Sequence, residues 1–293
     1  MAEAAVKTGN VDNGGRERVA THVKDRAWLL KHVILMLGIL FMIFPFLWML
    51  ATSFKQGAEV YGINLIPREP TWANFANLLK NTDYLRWYLN STVVAIVVTA
   101  SELFFDSMAG YALAKLRFPG RSLILMVILS TLMIPTEMLI IPWYMMFIKA
   151  GWIDTLWGVM VPGLISAFGV FLMNQFMSGI PGDLLDAARI DGLNEFGVWW
   201  HVALHLVKPA LAALAILVFL GNWNAFLWPV IVIESSATRT LPVGLALFSG
   251  GEAGSEWQLI MAAASLAVIP VLIVFTFFQR QIVQGIALTG MKS

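Results

Sequence analysis

Apolar runs long enough to cross a lipid bilayer recur along this chain, and no other feature limits its fold as much. Residues 27–50, 87–114, 123–148, 156–177, 210–233 and 257–278 are each dominated by Leu, Ile, Val, Phe, Ala and Met. A helical crossing needs about 20 such residues. Inside lipid every backbone polar group must be satisfied within the segment, so runs of this kind fold as helices. The composition agrees: 59% of the 293 residues are hydrophobic and 13% are charged. Soluble domains hold about 45–50% and about 25% respectively. The expected fold is an all-α integral membrane protein with six transmembrane helices.

Residues 1–26 are polar, with Gly14-Gly15 and mixed charges, and form an expected N-terminal tail before a six-helix transmembrane domain at 27–293. The run at 27–50 is longer than the hydrophobic region of a signal peptide, about 7–15 residues, so it is assigned as an uncleaved first span. The third run is longer than one crossing requires. It carries Pro135 and Pro142, and we expect it to break near Pro135 with the remainder bent or lying along the surface. Polar loops are expected at 53–86 and at 234–256.

Six spans place both termini on one side, and Lys and Arg then select that side. Lys7, Arg16, Arg18, Lys24, Arg26, Lys31, Lys115, Arg117, Arg121, Arg189, Lys208, Arg280 and Lys292 fall on it, 13 of the 19 basic residues. Lys55, Arg68, Lys80, Arg86, Lys149 and Arg239, the other 6, fall opposite. Both termini and the loop at 181–209 are therefore expected in the cytoplasm.

That loop, PGDLLDAARIDGLNEFGVWWHVALHLVKP, is the long polar interruption of the second half. Asp183 with Asp186 is positioned like a capping box for a short helix. Ala187 and Ala188 offer a small-residue face to an approaching surface. Gly192 suits a left-handed helix end, and Asn194 can cap a second helix leading to Pro209. A helix, a glycine turn and a second helix make a knob that a soluble partner can grip.

The stretch Asp186-Ala187-Ala188-Arg189-Ile190-Asp191-Gly192, followed by Pro209, resembles the EAA loop of ABC-importer permeases. The resemblance extends to WMLATSFK at 48–55, WYLNS at 87–91, GYALAKLRFPG at 110–120, Ile134-Pro135, GNWNAFLWP at 221–229 and LPVGLALF at 241–248. Together these are similar to the smaller permease subunit of maltose-type carbohydrate importers, including those for maltodextrins and alginate oligosaccharides. The resemblance implies a type I ABC importer permease bundle in a bacterial inner membrane. It implies ATPase coupling through Asp186, Ala187, Ala188, Asp191, Gly192 and Pro209. It also implies a second permease subunit, two cytoplasmic ATPase subunits and an external solute-binding protein as partners, with lipid around the bundle and no nucleic acid. Asp186 stands where the family has Glu, His205 where it has proline, and Ala225 where an acidic residue often follows Trp-Asn.

No cofactor is expected on this chain; ATP and Mg belong to the partner ATPase. The segment 285–293, GIALTGMKS, is not a phosphate-binding loop, because Met291 separates Gly290 from Lys292 and that motif needs contiguous Gly-Lys-Ser/Thr. His201 and His205 share a helical spacing without a third ligand, so no metal site is assigned. With no cysteine there is neither a disulfide framework nor a thiol nucleophile, and no catalytic residue is assigned.

Glu137, beside Pro135, is a candidate pathway residue, because a broken helix frees backbone polar groups. Trp143, Tyr144, Asn222, Trp223 and Asn224 combine aromatic faces with amides, a chemistry suited to sugars. An interfacial aromatic belt with interhelical amide bonds accounts for them equally. Asp106, inside the second run, fits a substrate path or proton relay, or a buried carboxylate bonded to a neighbouring helix. Two other functions compete with sugar import. One is an ABC permease for a non-sugar solute such as a glycerophosphate or peptide. The other is an ion-coupled secondary transporter, which calls for paired intramembrane charges and an inverted repeat.

Overall fold

The computed structural model describes residues 14–250 and 256–290, with side chains over 28–29, 31–250 and 256–279. The described residues form helices joined by short turns, without strands. Four helical elements are long and apolar enough to cross a membrane: Lys31–Ser53, Tyr84–Lys115, Leu156–Ser178 and Trp257–Gln279. Two bent pairs raise the number to six if each is one span.

The first bent pair is the expected broken third span. Arg121–Thr131 and Thr136–Ala150 meet at 90°. Pro135 sits at the corner with an extended ψ, and its missing N–H and ring keep it from continuing the preceding helix. In the second pair, Glu195–Leu206 and Lys208–Trp223 meet at 84°. Here the loop helix ends at Val207 and the fifth span begins.

The helix Tyr84–Lys115 is the axis of the bundle. It packs against both Ala167–Ser178 and Lys208–Trp223. Small residues set the closeness of the first contact. A Cβ on Gly110 would sit 2.7 Å from Met173 Cβ and 2.8 Å from the Asn174 nitrogen. The second helix of this pair starts after a break at 164–166, where Ser166 caps it by accepting from the Gly169 N–H at 3.0 Å. That break is stitched to the axis. Ser101 Oγ donates to the Leu164 carbonyl at 2.7 Å, and Asp106 Oδ1 accepts the Ser166 N–H at 3.1 Å. Asp106 is thus a fully buried carboxylate bonded to a neighbouring helix.

The Lys31–Ser53 segment contrasts with this core. It packs along the helix Trp257–Gly290, but its most apolar window has no buried residue, so much of its surface is left to lipid or another subunit.

The helix Gly14–Ser53 begins within the 1–26 stretch. One expectation is corrected. The expected loop at 234–256 contains the helix Leu241–Gly250, of which Leu241, Val243, Gly244 and Phe248 are buried. Gly244 lies directly against the Trp87 indole, and Trp87 and Phe248 meet edge-on at 6.1 Å. Gly and Ser in this segment signal close packing rather than solvation. Residues 251–255, the N-terminal residues 1–13, and the last three residues of GIALTGMKS lie outside the described residues.

The 54–83 segment folds back on the bundle. Asn74 Nδ2 donates to the carbonyls of Ser53 and Lys55, each at 2.8 Å. Lys55 is fully buried, with its Nζ 4.7 Å from the Trp48 ring centroid and 3.3 Å from the Gly62 carbonyl.

Candidate functional site

The loop at 181–209 has the expected order of helix, glycine turn and helix, with changes in detail. The first helix is Gly182–Ile190. Pro181 precedes it, with φ fixed by its ring, and no side chain caps the start. Asp183 therefore lies inside the first turn, where its charge favours the positive end of the helix, and does not form a capping box. Gly192 has φ +90°, the left-handed conformation expected of a helix-ending glycine. Asn194 caps the second helix, its Oδ1 accepting the Gly197 N–H at 2.8 Å. That helix runs on through a π-turn at Trp199–Ala203.

The small-residue face is split. Ala187 is exposed, but Ala188 and Leu185 are buried within this chain. Leu185 and Ala188 are three apart, so one stripe of the short helix packs inward and only the other is presented outward. The presented surface carries Leu184, Ile190, Phe196, Trp200 and Leu206, with Ile190 85% exposed at the tip. Asp191 is exposed beside it and Pro209 is half-buried at the far end. A cleft of about 330 Å³ lies between the two ends of the loop, lined by Pro181, Leu184, Leu206 and Pro209 among others.

Asp186 is not a free charge. Arg189 Nη1 donates to it at 2.6 Å, and Arg189 Nε donates to Glu195 Oε1 at 2.8 Å. Glu195 in turn accepts from the Tyr111 hydroxyl at 2.8 Å. The Arg189 hydrogen bonds, with Tyr111 adding to them, hold the Glu195 carboxyl below its usual range. The guanidinium is kept charged by Glu195 and then by Asp186. The two loop helices are thereby tied to each other and to the bundle axis.

Sequence reasoning singled out neither Tyr111 nor Lys115, although both lie in the GYALAK stretch four residues apart. That spacing puts them on one helix face and was the available signal. Lys115 Nζ donates to the Ile180 carbonyl at 2.6 Å and to the Ser178 carbonyl at 3.1 Å. A cation at the carbonyl end of a helix is electrostatically favourable.

The candidate pathway residues do not share one lining. Glu137 is exposed in the 3-10 turn Thr136–Leu139. Trp143 packs edge-on to Trp228 at 5.7 Å, with Tyr144 half-buried beside it on the same helix. Asn222 and Asn224 each donate to a carbonyl one turn back, Val218 at 2.9 Å and Leu220 at 2.8 Å. Trp223 is buried, donates to the Ala267 carbonyl at 3.2 Å and meets Tyr88 edge-on. Its indole joins the fifth and sixth spans. His201 and His205 are exposed on the loop helix. Among the described residues no group of three or more His, Cys, Asp or Glu could hold a metal.

A bundle of apolar helices of this length and composition, carrying one internally braced polar loop, is an integral membrane protein. The profile of binding-protein-dependent transport system inner membrane components matches residues 107–288, and the chain belongs to that family. It is 38% identical over 255 residues to the arabinooligosaccharides transport system permease protein AraQ of Halalkalibacterium halodurans, covering 85% of this chain and 91% of that one. It is 32% identical over 273 residues to the sn-glycerol-3-phosphate transport system permease protein UgpE of Brucella abortus, covering 89% and 96%. The fold is similar to a chain of a bacterial ABC transporter involved in the import of the acidic polysaccharide alginate. That similarity has a TM-score of 0.78 and 25% identity, covering 88% of this chain and 97% of that one.

Proposed function

We propose that this chain is one transmembrane half of an ATP-driven importer for a carbohydrate, of oligosaccharide size. It works with a second permease subunit, two cytoplasmic ATPase subunits and an external solute-binding protein. The observation that carries this reading is the 181–209 knob. Exposed Leu184, Ile190, Phe196 and Trp200 form an apolar rim on a loop in which Asp186, Arg189 and Glu195 satisfy one another. A surface of this kind is buried by a protein partner. The excess of Lys and Arg on its side supports a cytoplasmic location, where an ATPase dimer is reached.

ATP and Mg act on the partner chains. Closure of the ATPase dimer displaces the knob, and the bundle passes that displacement on as rigid-body rocking of packed helices. A cavity between the two permease halves then opens to each side in turn. Glu137, Trp143, Tyr144, Asn222, Trp223 and Asn224 are the candidate path residues on this chain. AraQ and the alginate importer support an oligosaccharide as cargo. UgpE supports the alternative, a phosphorylated glycerol, and the experiment separates them. The chain is co-purified with its three kinds of partner and reconstituted in liposomes. ATP hydrolysis is then followed as oligosaccharides and glycerophosphate are offered with the binding protein. Stimulation by an oligosaccharide is expected; stimulation by glycerophosphate alone overturns the sugar reading.

A further inference from the structure

The loop at 181–209 is joined to the bundle in two ways, through its covalent ends and through contacts with a helix continuous with neither. Before Pro181 the chain leaves helix Ala167–Ser178 through Gly179 and Ile180. After Leu206 it turns through Val207, at φ −104° and ψ 19°, into a helix lying at 84°. Both are corners. The noncovalent attachment comes from a third helix, Tyr84–Lys115, which is continuous with neither end of the loop. Its Phe104 meets Trp199 edge-on at 5.4 Å, its Tyr111 holds Glu195, and its Lys115 holds the carbonyls of Ser178 and Ile180.

The same helix is fixed at its opposite end. Trp87 Nε1 donates to the Ser236 carbonyl at 3.0 Å. Asn90 Nδ2 donates to the carbonyls of Ala237 and Arg239, each at 2.9 Å. Ser91 Oγ accepts the Leu241 N–H at 2.8 Å. At about 1.5 Å per residue, its 32 residues span roughly 48 Å from end to end, with one clamp towards each end.

We propose that Tyr111 and Lys115 are positioning residues that make the Tyr84–Lys115 helix the strut of the transporter. The loop and this helix travel as one body, and the 235–241 turn on the far face is displaced with them. The helices covalently attached to the loop follow through their corners. This rests on the reading of the loop as the ATPase-docking element.

The test uses the reconstituted complex and the ratio of solute taken up to ATP hydrolysed. In Tyr111→Phe with Lys115→Met the ATPase subunits should co-purify at the parental level and hydrolysis should continue. The ratio should fall about tenfold or more, since the variant loses three hydrogen bonds that involve a charged group. Because the chain has no cysteine, a second arm joins Tyr111→Cys to Glu195→Cys with a short cleavable bifunctional thiol reagent. Linked complexes should transport at least as well as unlinked ones, since the two sites do not separate. An unchanged ratio in the double variant overturns the strut. So does uptake that stops on linking and returns on cleavage. Failure of the parental chain to retain the ATPase subunits removes the docking reading, and the strut with it.

Discussion

Asp106 lies directly against Gly169, so closely that a methyl group on the glycine would occupy the position of its Oδ2 atom. The contact sets the distance between the bundle axis and the Ala167–Ser178 helix at the break in the fourth span. Asp106 cannot yield, because it is fully buried and its other oxygen accepts the Ser166 N–H.

Gly169→Ala should therefore destabilise the protein by about 1–3 kcal/mol, the usual cost of overpacking. Asp106→Ala should also destabilise it, by about 1–3 kcal/mol, by leaving the Ser166 N–H unpaired. The two together should cost less than their sum, because removing the carboxylate makes room for the methyl group. Thermal midpoints in detergent for both single variants and the double variant provide the check. Additive losses would show that the contact is not what sets the spacing.

Gly192 and Asp186 should fail differently. No atom lies within 4 Å of the Cβ position of Gly192, so a side chain there meets only the backbone penalty of φ +90°. Gly192→Asn, which tolerates that region, should bind the ATPase subunits nearly normally. Gly192→Val should lose about 1–2 kcal/mol or more of loop stability and with it most of the ATPase binding. Asp186→Ala frees one donor of an exposed Arg189 still held by Glu195, so it should cost under about 1 kcal/mol. Asp186→Lys places a cation beside Arg189 and should weaken docking further. Co-purification of the ATPase, compared across the four variants, tests the order. Equal recovery in all four would make the loop a plain connector.

Asp154 organises the opposite end of the molecule. It has φ +56°, and its Oδ1 accepts from the backbone of Glu234 and Ser235 and from the hydroxyls of Ser235 and Thr238. Burial pushes its carboxyl up, but the hydrogen bonds from Thr238, Ser235 and Glu234 outweigh it and hold the pKa down to about 2. A depressed carboxylate stabilises the fold fully above its unfolded value of about 4. That contribution is lost as pH falls from there towards about 2. Asp154→Asn keeps the left-handed backbone and removes the charge. Its thermal midpoint should be lower at pH 7, and the gap to the parent should narrow on acidification to pH 3. A gap that stays constant between the two pH values counts against the charge as the cause.

Topology is directly testable on this cysteine-free chain. Ala237 is exposed at the far end, and Ile190 is exposed at the loop tip. In cells lacking the partner ATPase, Ala237→Cys should react with an impermeant thiol reagent from outside. Ile190→Cys should react only after the membrane is opened. The reverse pattern would invert the orientation and place the loop beyond reach of a cytoplasmic ATPase.

Much of the architecture is carried by local chemistry. The apolar runs specify spans because lipid leaves a backbone no partner but itself. Pro135 specifies a corner because it cannot donate, and Gly192 and Asn194 specify the turn of the knob through dihedral preference and capping. Each of these acts within a few residues, so the sequence by itself determines it. Tertiary packing decided which faces those elements turn to one another. It buried Ala188 within the chain, bonded Trp223 to Ala267, and drew Leu241–Gly250 onto Trp87. It also brought Tyr111 to Glu195 and Lys115 to Ile180 across 84 and 65 positions of chain. Hydropathy and periodicity rank a residue by what it prefers to contact. Which partner satisfies it depends on where three helices close against each other, a decision made in space and not along the chain.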